Sequence, residues 1–418
     1  MLFTNPVERV LADTRLLVQD FVVPRESDYS RRGPLEAELT PSFVATVTKK
    51  ARSRDQGLVF VHSHPGSAPP AFSSIDDHGE KRLAEFLQRR LPGRSHAALV
   101  LSKGGVCARV LGTVQPVRVV EVGEKRRLLY DPDSSPSAEL LAAHDRQIRA
   151  LGAAGQRSLS QLRVGVVGVG GTGSFIVQEL AHLGVENFLV LDSDTVEPTN
   201  LNRLIGASAA DVGKSKTAVA KKGIISIQPR ATVEELVGDV MRARIARRLG
   251  DLDVLFGCTD SHGSRAVLQQ IAYQYLVPCI DMGSTIVVDS GLVRHVFGRV
   301  QLLAPGLPCF TCSGLLDPDQ VRRDMMTPLE RRADPYIVGA LEPAPAVVSL
   351  NGTVASLAIT MLLAVATPFP GTARHLIYNA LSSTLRSVAA VPQADCFICS
   401  RSGALARGDT TPLMARQD

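Results

Sequence analysis

A run of glycines between two apolar segments constrains this chain more than any other feature. Residues 163–194 read RVGVVGVGGTGSFIVQELAHLGVENFLVLDSD. The stretch Val164–Val167 reads as a short buried strand, and Phe188–Leu191 as a second one ending on Asp192. Between them, Ser174–Leu183 has the apolar spacing of an amphipathic helix. Gly168, Gly170, Gly171 and Gly173 fill the turn that joins strand to helix. Glycines let a backbone approach phosphates, and a helix N-terminus presents free N–H groups to them. Asp192 falls where a ribose hydroxyl would sit. The unit predicts an α/β fold with a nucleotide at the edge of an open sheet. A dehydrogenase and an ATP-using enzyme would both satisfy it.

The chain has 418 residues, more than one domain usually holds. Charged residues make up 21% and apolar residues 45%, an ordinary soluble composition. The net charge is only +5, there is no long basic block and no tryptophan, so nucleic acid is not an expected partner. The opening MLFTNPVERV lacks the pattern of a secretory signal. Ala346–Phe369 is apolar enough to suggest a membrane. Ser349, Asn351, Gly352, Thr353 and Ser356 interrupt it, so it reads as a buried core helix and no membrane is expected. Seven cysteines, four of them in two CxxC pairs, point to metal ligation in a reducing cytoplasm.

The residues after the glycine unit favour ATP. Asp192-Ser-Asp194 is followed by Val196-Glu-Pro-Thr-Asn-Leu-Asn-Arg203 and then Asp211-Val-Gly-Lys-Ser-Lys216. Arginine and lysine near the glycine turn would neutralise a triphosphate. Asp253–Asp260 reads as an apolar strand ending on a carboxylate at the sheet edge, where Mg²⁺ could be held. No histidine or acid is placed for hydride transfer. Positive charge gathered around an α-phosphate suits in-line attack by a carboxylate, with pyrophosphate leaving.

Taken together, RQ…G…Q..L..RVGVVGVGGTGS, GV..F.VLD.D.VE.TNLNR, DVGKSK and CTD resemble the ThiF/MoeB group and the adenylation domains of ubiquitin-activating enzymes, over about 250 residues. The resemblance implies a Rossmann-like domain that adenylates the C-terminal glycine of a ubiquitin-like or sulfur-carrier protein ending in Gly-Gly. By it, Gly168, Gly170, Gly171 and Gly173 hold phosphate, and Asp192 holds ribose, with Asp194 beside it. Asn200 and Arg203 match the NLxR element, Lys216 the phosphate-contacting lysine, and Asp260 the Mg²⁺-binding aspartate. Arg203, Lys216 and Asp260 are the expected catalytic set. Arg146 matches an arginine that reaches the second subunit's ATP in family homodimers, which implies a homodimer. Members that form a thioester or transfer sulfur carry a cysteine in the loop after the first CxxC. Leu315–Ala346 has none, which implies hand-over to a conjugating enzyme or a sulfur donor. Thr327–Ala346 is expected to form a crossover loop.

A second constellation lies near the start, HSHPGSAPPAFSSIDD at residues 62–77. His62 and His64 alternate on an extended segment and so point the same way, able to share one metal with a carboxylate from Asp76. The motif resembles that of JAB/MPN (JAMM) metalloproteases, which cleave after the C-terminal glycine of ubiquitin-like proteins. By that resemblance His62, His64 and Asp76 bind zinc and Ser73 supports the oxyanion. Two departures stand out. Pro65–Phe72 is eight residues where the family usually has seven. No residue matches its general-base glutamate well; Glu8, Glu36 and Glu38 are the nearest. A JAB-like fold that only holds the ubiquitin-like protein is the non-enzymatic alternative for this half.

Cys309-x-x-Cys312 and Cys396-x-x-Cys399 together offer four thiolates, the usual set for a structural zinc. The adenylating family carries two such knuckles, which supports pairing them across 83 residues. The expected layout is a JAB/MPN-like domain over 1–120, a linker over 121–139, an adenylyltransferase domain over 140–391, and the second CxxC with a disordered tail over 392–418. The expected cofactors are ATP, Mg²⁺ and Zn²⁺, with a second Zn²⁺ in the first domain.

Overall fold

Alternating strands and helices build two main sheets in the computed structural model, which describes residues 1–7, 15–33, 36–132, 142–327, 330 and 345–417. The chain divides into two units. Residues up to Glu121, the stretch from Arg127, and Ala406–Pro412 form the first; the rest forms the second.

In the first unit, β1 (Leu2–Val7) pairs antiparallel with β2 (Arg15–Phe21). A small antiparallel pair follows, β3 (Tyr29–Arg32) and β4 (Ala37–Leu39). Helix α1 (Pro41–Ser53) starts where Thr40 accepts the Phe43 N–H and Pro41 occupies the first helical position, where its missing N–H costs nothing. Next come β5 (Gly57–Ser63), α2 (Ser74–Arg90), β6 (Ala97–Ser102) and β7 (Gly105–Val110). The sheet order is β2-β1-β5-β6-β7, with β5 and β6 parallel. Phe3, Phe43, Val47, Leu58 and Leu87 form its core against the two helices.

The linker expectation is corrected in part. Its Val122 and Arg126–Tyr130 lie in two short strands, β8 (Val119–Val122) and β9 (Arg126–Tyr130). Both runs are apolar or β-branched at alternate positions, a strand pattern that the neighbouring Pro/Ser cluster obscures. Residues 133–141 lie outside the described residues.

The second unit opens with α3 (Asp145–Gln161), β10 (Arg163–Val167), α4 (Gly171–His182) and β11 (Asn187–Asp192). It continues with α5 (Lys216–Ile227), β12 (Thr232–Val237), α6 (Ala243–Leu249), β13 (Val254–Gly257), α7 (His262–Gln274), β14 (Cys279–Asp289) and β15 (Leu292–Leu303). Then follow α8 (Pro318–Met325), α9 (Val348–Ala366), β16 (His375–Asn379) and β17 (Thr384–Ser387). The sheet runs β12-β11-β10-β13-β14-β15-β16-β17. Its first five strands are parallel and the rest antiparallel. The order reverses between β10 and β13, the switch point at which open α/β sheets bind ligands.

Helix α4 begins three residues before the predicted Ser174, because its first residues are glycines that sequence propensity assigns to a turn. Strand β13 ends at Gly257, so Asp260 lies three residues past the strand rather than on its last position. The apolar segment near the C-terminus is α9, long and apolar enough to cross a membrane; its Leu350, Val354, Ala358, Leu362 and Val365 lie in the core of this unit. The tail is not disordered over 400–417. The Asn5 amide donates to the Ala406 carbonyl at 2.8 Å within the first unit. Within the second, the Met414 N–H donates to Gln270 and Arg416 pairs with Asp239. Small buried residues, Ala404, Ala406 and Gly408, let this polar-looking segment pack.

His96, buried in the first unit, gives it a pH dependence. Its Nδ1 accepts the Leu58 N–H at 3.1 Å, and its Nε2 has no partner. Burial pushes the imidazole down to about 4. A histidine with a lowered folded pKa stabilises the fold fully above the unfolded pKa, roughly 6.5, and loses that contribution as pH falls toward the folded value. The stability of the first unit should therefore fall by about 3 kcal/mol between pH 7 and pH 4. Thermal melts of His96→Asn, which keeps an acceptor but does not titrate, should show a flatter profile over that range.

Candidate nucleotide and metal sites

Backbone geometry at the first turn comes before any side chain. Gly168 has φ +86°, a conformation that suits glycine, and a Cβ there would lie 2.7 Å from the Cys258 carbonyl oxygen. A Cβ on Gly173 would overlap the Gly168 carbonyl oxygen. The turn is thus clamped between β10, β13 and α4, with the α4 N–H groups facing the sheet's switch point. Asp192, at the end of β11, accepts the Val169 N–H at 2.8 Å and the Asp194 N–H at 2.9 Å. Its carboxyl sits above the ordinary range, first because it is buried. The predicted ribose ligand therefore also fixes the shape of the turn.

Lys216 opens α5, where Ser215 caps the helix by accepting the Ala218 N–H. Its Nζ lies 2.8 Å from Asp194, and that contact holds the Asp194 carboxyl below its usual range. A cavity beside the glycine turn is lined by Val169, Gln178, Leu204, Ile205, Lys216 and Val219. Arg203 follows a short turn, Pro198–Asn200. The Asn200 side chain accepts the Glu197 N–H at 3.1 Å and is buried, so it shapes that turn. The Arg203 guanidinium donates to the Thr199 carbonyl at 2.7 Å, and its Cδ lies beside Gly171.

Asp260 is exposed in the loop after β13. Arg146 is exposed on α3 and makes no ion pair among the described residues. The predicted crossover loop falls mostly on 328–329 and 331–344, outside the described residues.

Sequence reasoning missed two groups here. Arg265, on α7, donates to the Thr259 carbonyl at 2.9 Å and lies 3.5 Å from Asp281. Asp281 is fully buried on β14 and also pairs with Arg299. This pair braces the loop that carries Asp260. An acid in the otherwise apolar CIDMG segment was the available signal. The second is Asn351, whose amide reaches the glycine turn although the sequence shows it only as a break in an apolar helix.

Four cysteines meet in the same unit. Cys309 and Cys312 are 3.7 Å apart, Cys309 and Cys396 3.5 Å, and Cys312 and Cys399 3.4 Å. These spacings are too long for disulfides and approach the roughly 3.8 Å edge of a tetrahedron with Zn–S bonds of about 2.3 Å. The donor set fits a closed structural Zn²⁺. Burial drives the thiols of Cys258 and Cys279 upward, and that of Cys107 as well, so none is an activated nucleophile.

In the first unit, β5 delivers both histidines and the first turn of α2 delivers Asp76. His62 Nε2 lies 3.1 Å from His64 Nε2 and 3.1 Å from Asp76 Oδ1, and His64 Nε2 lies 3.6 Å from Asp76 Oδ2. Three ligand atoms so close fit one divalent cation. Burial lowers the His62 pKa and keeps the ring in its neutral, ligating form. The Ser73 hydroxyl is engaged, donating to Asp76 at 2.7 Å while capping α2. Of the glutamates considered as a general base, Glu8 lies outside the described residues, and Glu36 and Glu38 are exposed next to Arg31.

Residues 144–398 match the ThiF family. The chain is 27% identical over 273 residues to the molybdopterin-synthase adenylyltransferase of Escherichia coli, covering 63% of this chain and 98% of that one. It is 27% identical over 253 residues to the SAMP-activating enzyme E1 of Haloferax volcanii, covering 60% and 86%. Among solved structures, E. coli MccB with selenomethionine MccA aligns with a TM-score of 0.50 at 17% identity, over 64% of this chain and 76% of that one. That likeness concerns the fold.

Loss of the four-thiolate site should be costly. Cys309→Ala is expected to remove one zinc per chain by elemental analysis and to destabilise the second unit by about 4 kcal/mol, lowering its melting midpoint by roughly 10 °C.

Proposed function

Because the chain belongs to the ThiF family, we propose that its second unit adenylates the C-terminal glycine carboxylate of a ubiquitin-like or sulfur-carrier protein. The observation that carries this reading is the convergence of the glycine turn, Asp192, the Lys216–Asp194 pair and Arg203 on one end of α4. ATP phosphates at that helix end meet N–H groups and two cations. The substrate carboxylate attacks the α-phosphorus; a C–O–P bond forms, and the bond to pyrophosphate breaks. Lys216 and Arg203 offset charge on the phosphates. Asp260 would hold Mg²⁺, which supplies further charge neutralisation for the departing pyrophosphate. With every thiol outside the four-cysteine cluster buried or half-buried, the adenylate passes to a separate protein, a conjugating enzyme or a sulfur donor.

Relatives of both kinds support the breadth of the substrate class, one named for molybdopterin synthase and one for SAMP. Exposed Arg146 suits a homodimer in which it reaches the second copy's nucleotide. Unpaired cysteines suit a reducing cytoplasm. For the first unit, the reading is a zinc peptidase that trims or removes the same ubiquitin-like protein, with His62, His64 and Asp76 as ligands. There Ser73 orients Asp76 and assists the oxyanion. A module that holds the ubiquitin-like protein without cleaving it is the second reading, favoured by the lack of a matching glutamate.

Mg·ATP, and not NAD, should raise the melting temperature of the second unit. Lys216→Ala and Asp260→Ala should each lower ATP–pyrophosphate exchange with a Gly-Gly-terminated carrier by about 100-fold, measured with labelled pyrophosphate. For the first unit, purified protein should contain two zinc ions per chain, falling to one in His62→Ala/His64→Ala. A count of one, unchanged in that variant, would leave the holding module as the reading.

A further inference from the structure

Helix α9 carries one polar side chain that packing does not explain. Asn351 is 3% exposed, on a helix whose neighbouring buried residues are Leu350, Val354 and Ala355. A buried amide is costly unless its donors and acceptors are used. Its Oδ1 is used: Ser284, on β14, donates to it at 3.2 Å. Its Nδ2 has no acceptor among the described residues. That nitrogen is aimed at the first residue of α4, where a Cβ on Gly171 would collide with it. The same absent Cβ would lie 3.6 Å from Arg203 Cδ.

Two donor groups therefore meet at Gly171, with the Arg203 side-chain carbon Cδ beside them. These are the free N–H groups opening the 12-residue helix α4 and the Asn351 amide. Ser284 sets the amide's orientation, because a hydroxyl donating to Oδ1 turns Nδ2 the other way, toward the turn. Glycine at 171 keeps open the space in front of it. An N–H without a partner at a helix N-terminus is complementary to an anionic oxygen.

We propose that Asn351 is a nucleotide-binding residue, its Nδ2–H donating to a phosphate oxygen of ATP at the start of α4, with Ser284 as its positioning residue. This rests on the adenylation reading and adds to it a contact from α9, which packs directly against α4. It also accounts for the polar break in an otherwise apolar helix.

The test is equilibrium dialysis of the full chain with labelled Mg·ATP and with labelled adenosine, which shares the base and ribose but has no phosphate. Asn351→Asp replaces a donor by an anion and should weaken ATP by about tenfold or more while leaving adenosine unchanged. Asn351→Leu should weaken ATP to a smaller extent, again without affecting adenosine. Ser284→Ala, which removes one hydroxyl and keeps the fold, should cost about threefold in ATP affinity only. Unchanged ATP affinity in Asn351→Asp, or equal losses for ATP and adenosine, would overturn the proposal. Should the Asn351 variants fail to fold, wild-type affinity in Ser284→Ala overturns it instead. A wild-type chain that binds neither ligand would sink the adenylation reading itself, a separate outcome.

Discussion

At the start of α4 the backbone passes so close to the Gly168 carbonyl that residue 173 has no room for even a methyl group. Much of the second unit depends on that approach. It brings α4 down onto β10 and β13 and places Ile176, Val177 and Leu180 in the core. It also leaves the first N–H groups of the helix pointing at the switch point of the sheet. Asp192 completes the clamp from the neighbouring strand by accepting the Val169 N–H, so one carboxylate ties turn and strand together. A single close contact between two peptide groups thus sets both the packing of α4 and the course of the turn.

Charge around this turn is held in place before any ligand arrives. Lys216 is anchored by Asp194, and Arg203 by a main-chain carbonyl. Arg265 and Arg299 share the buried Asp281, and the two guanidinium groups offset part of its desolvation cost. Fixed dipoles and charges need no reorganisation at the moment of reaction, which is the main advantage a protein site has over water. The Asp281 pair extends this order outward, because it grips the carbonyl of Thr259 next to Asp260.

Much of the architecture was legible in the sequence because it rests on local patterns. The glycine unit shows its own period and turn chemistry, as does the extended segment that carries His62, and the structure has both within a few residues. The two candidate metal-ligand sets were legible because histidines and cysteines announce themselves by type and spacing, and their atoms do converge. What sequence did not show depends on neighbours distant along the chain. Asp281 gains its meaning from Arg265 and Arg299, and Asn351 from Gly171. The packing of Ala406 depends on Asn5, some 400 positions earlier. The start of α4 was misplaced because glycine's low helix propensity counts against it locally, while the tertiary approach demands it.

That last contact has a consequence for how the chain is made. The first unit holds residues of strand β1 and residues Ala406–Pro412, so its pieces are translated on either side of most of the second unit. Strand β1 and its sheet emerge early, yet the Asn5 amide waits for the Ala406 carbonyl until nearly all of the second unit has been translated. An N-terminal domain ordinarily has its whole sequence before its successor is made; here one segment arrives afterwards. Ala406–Pro412 thus acts as a late fastener for a structure begun first.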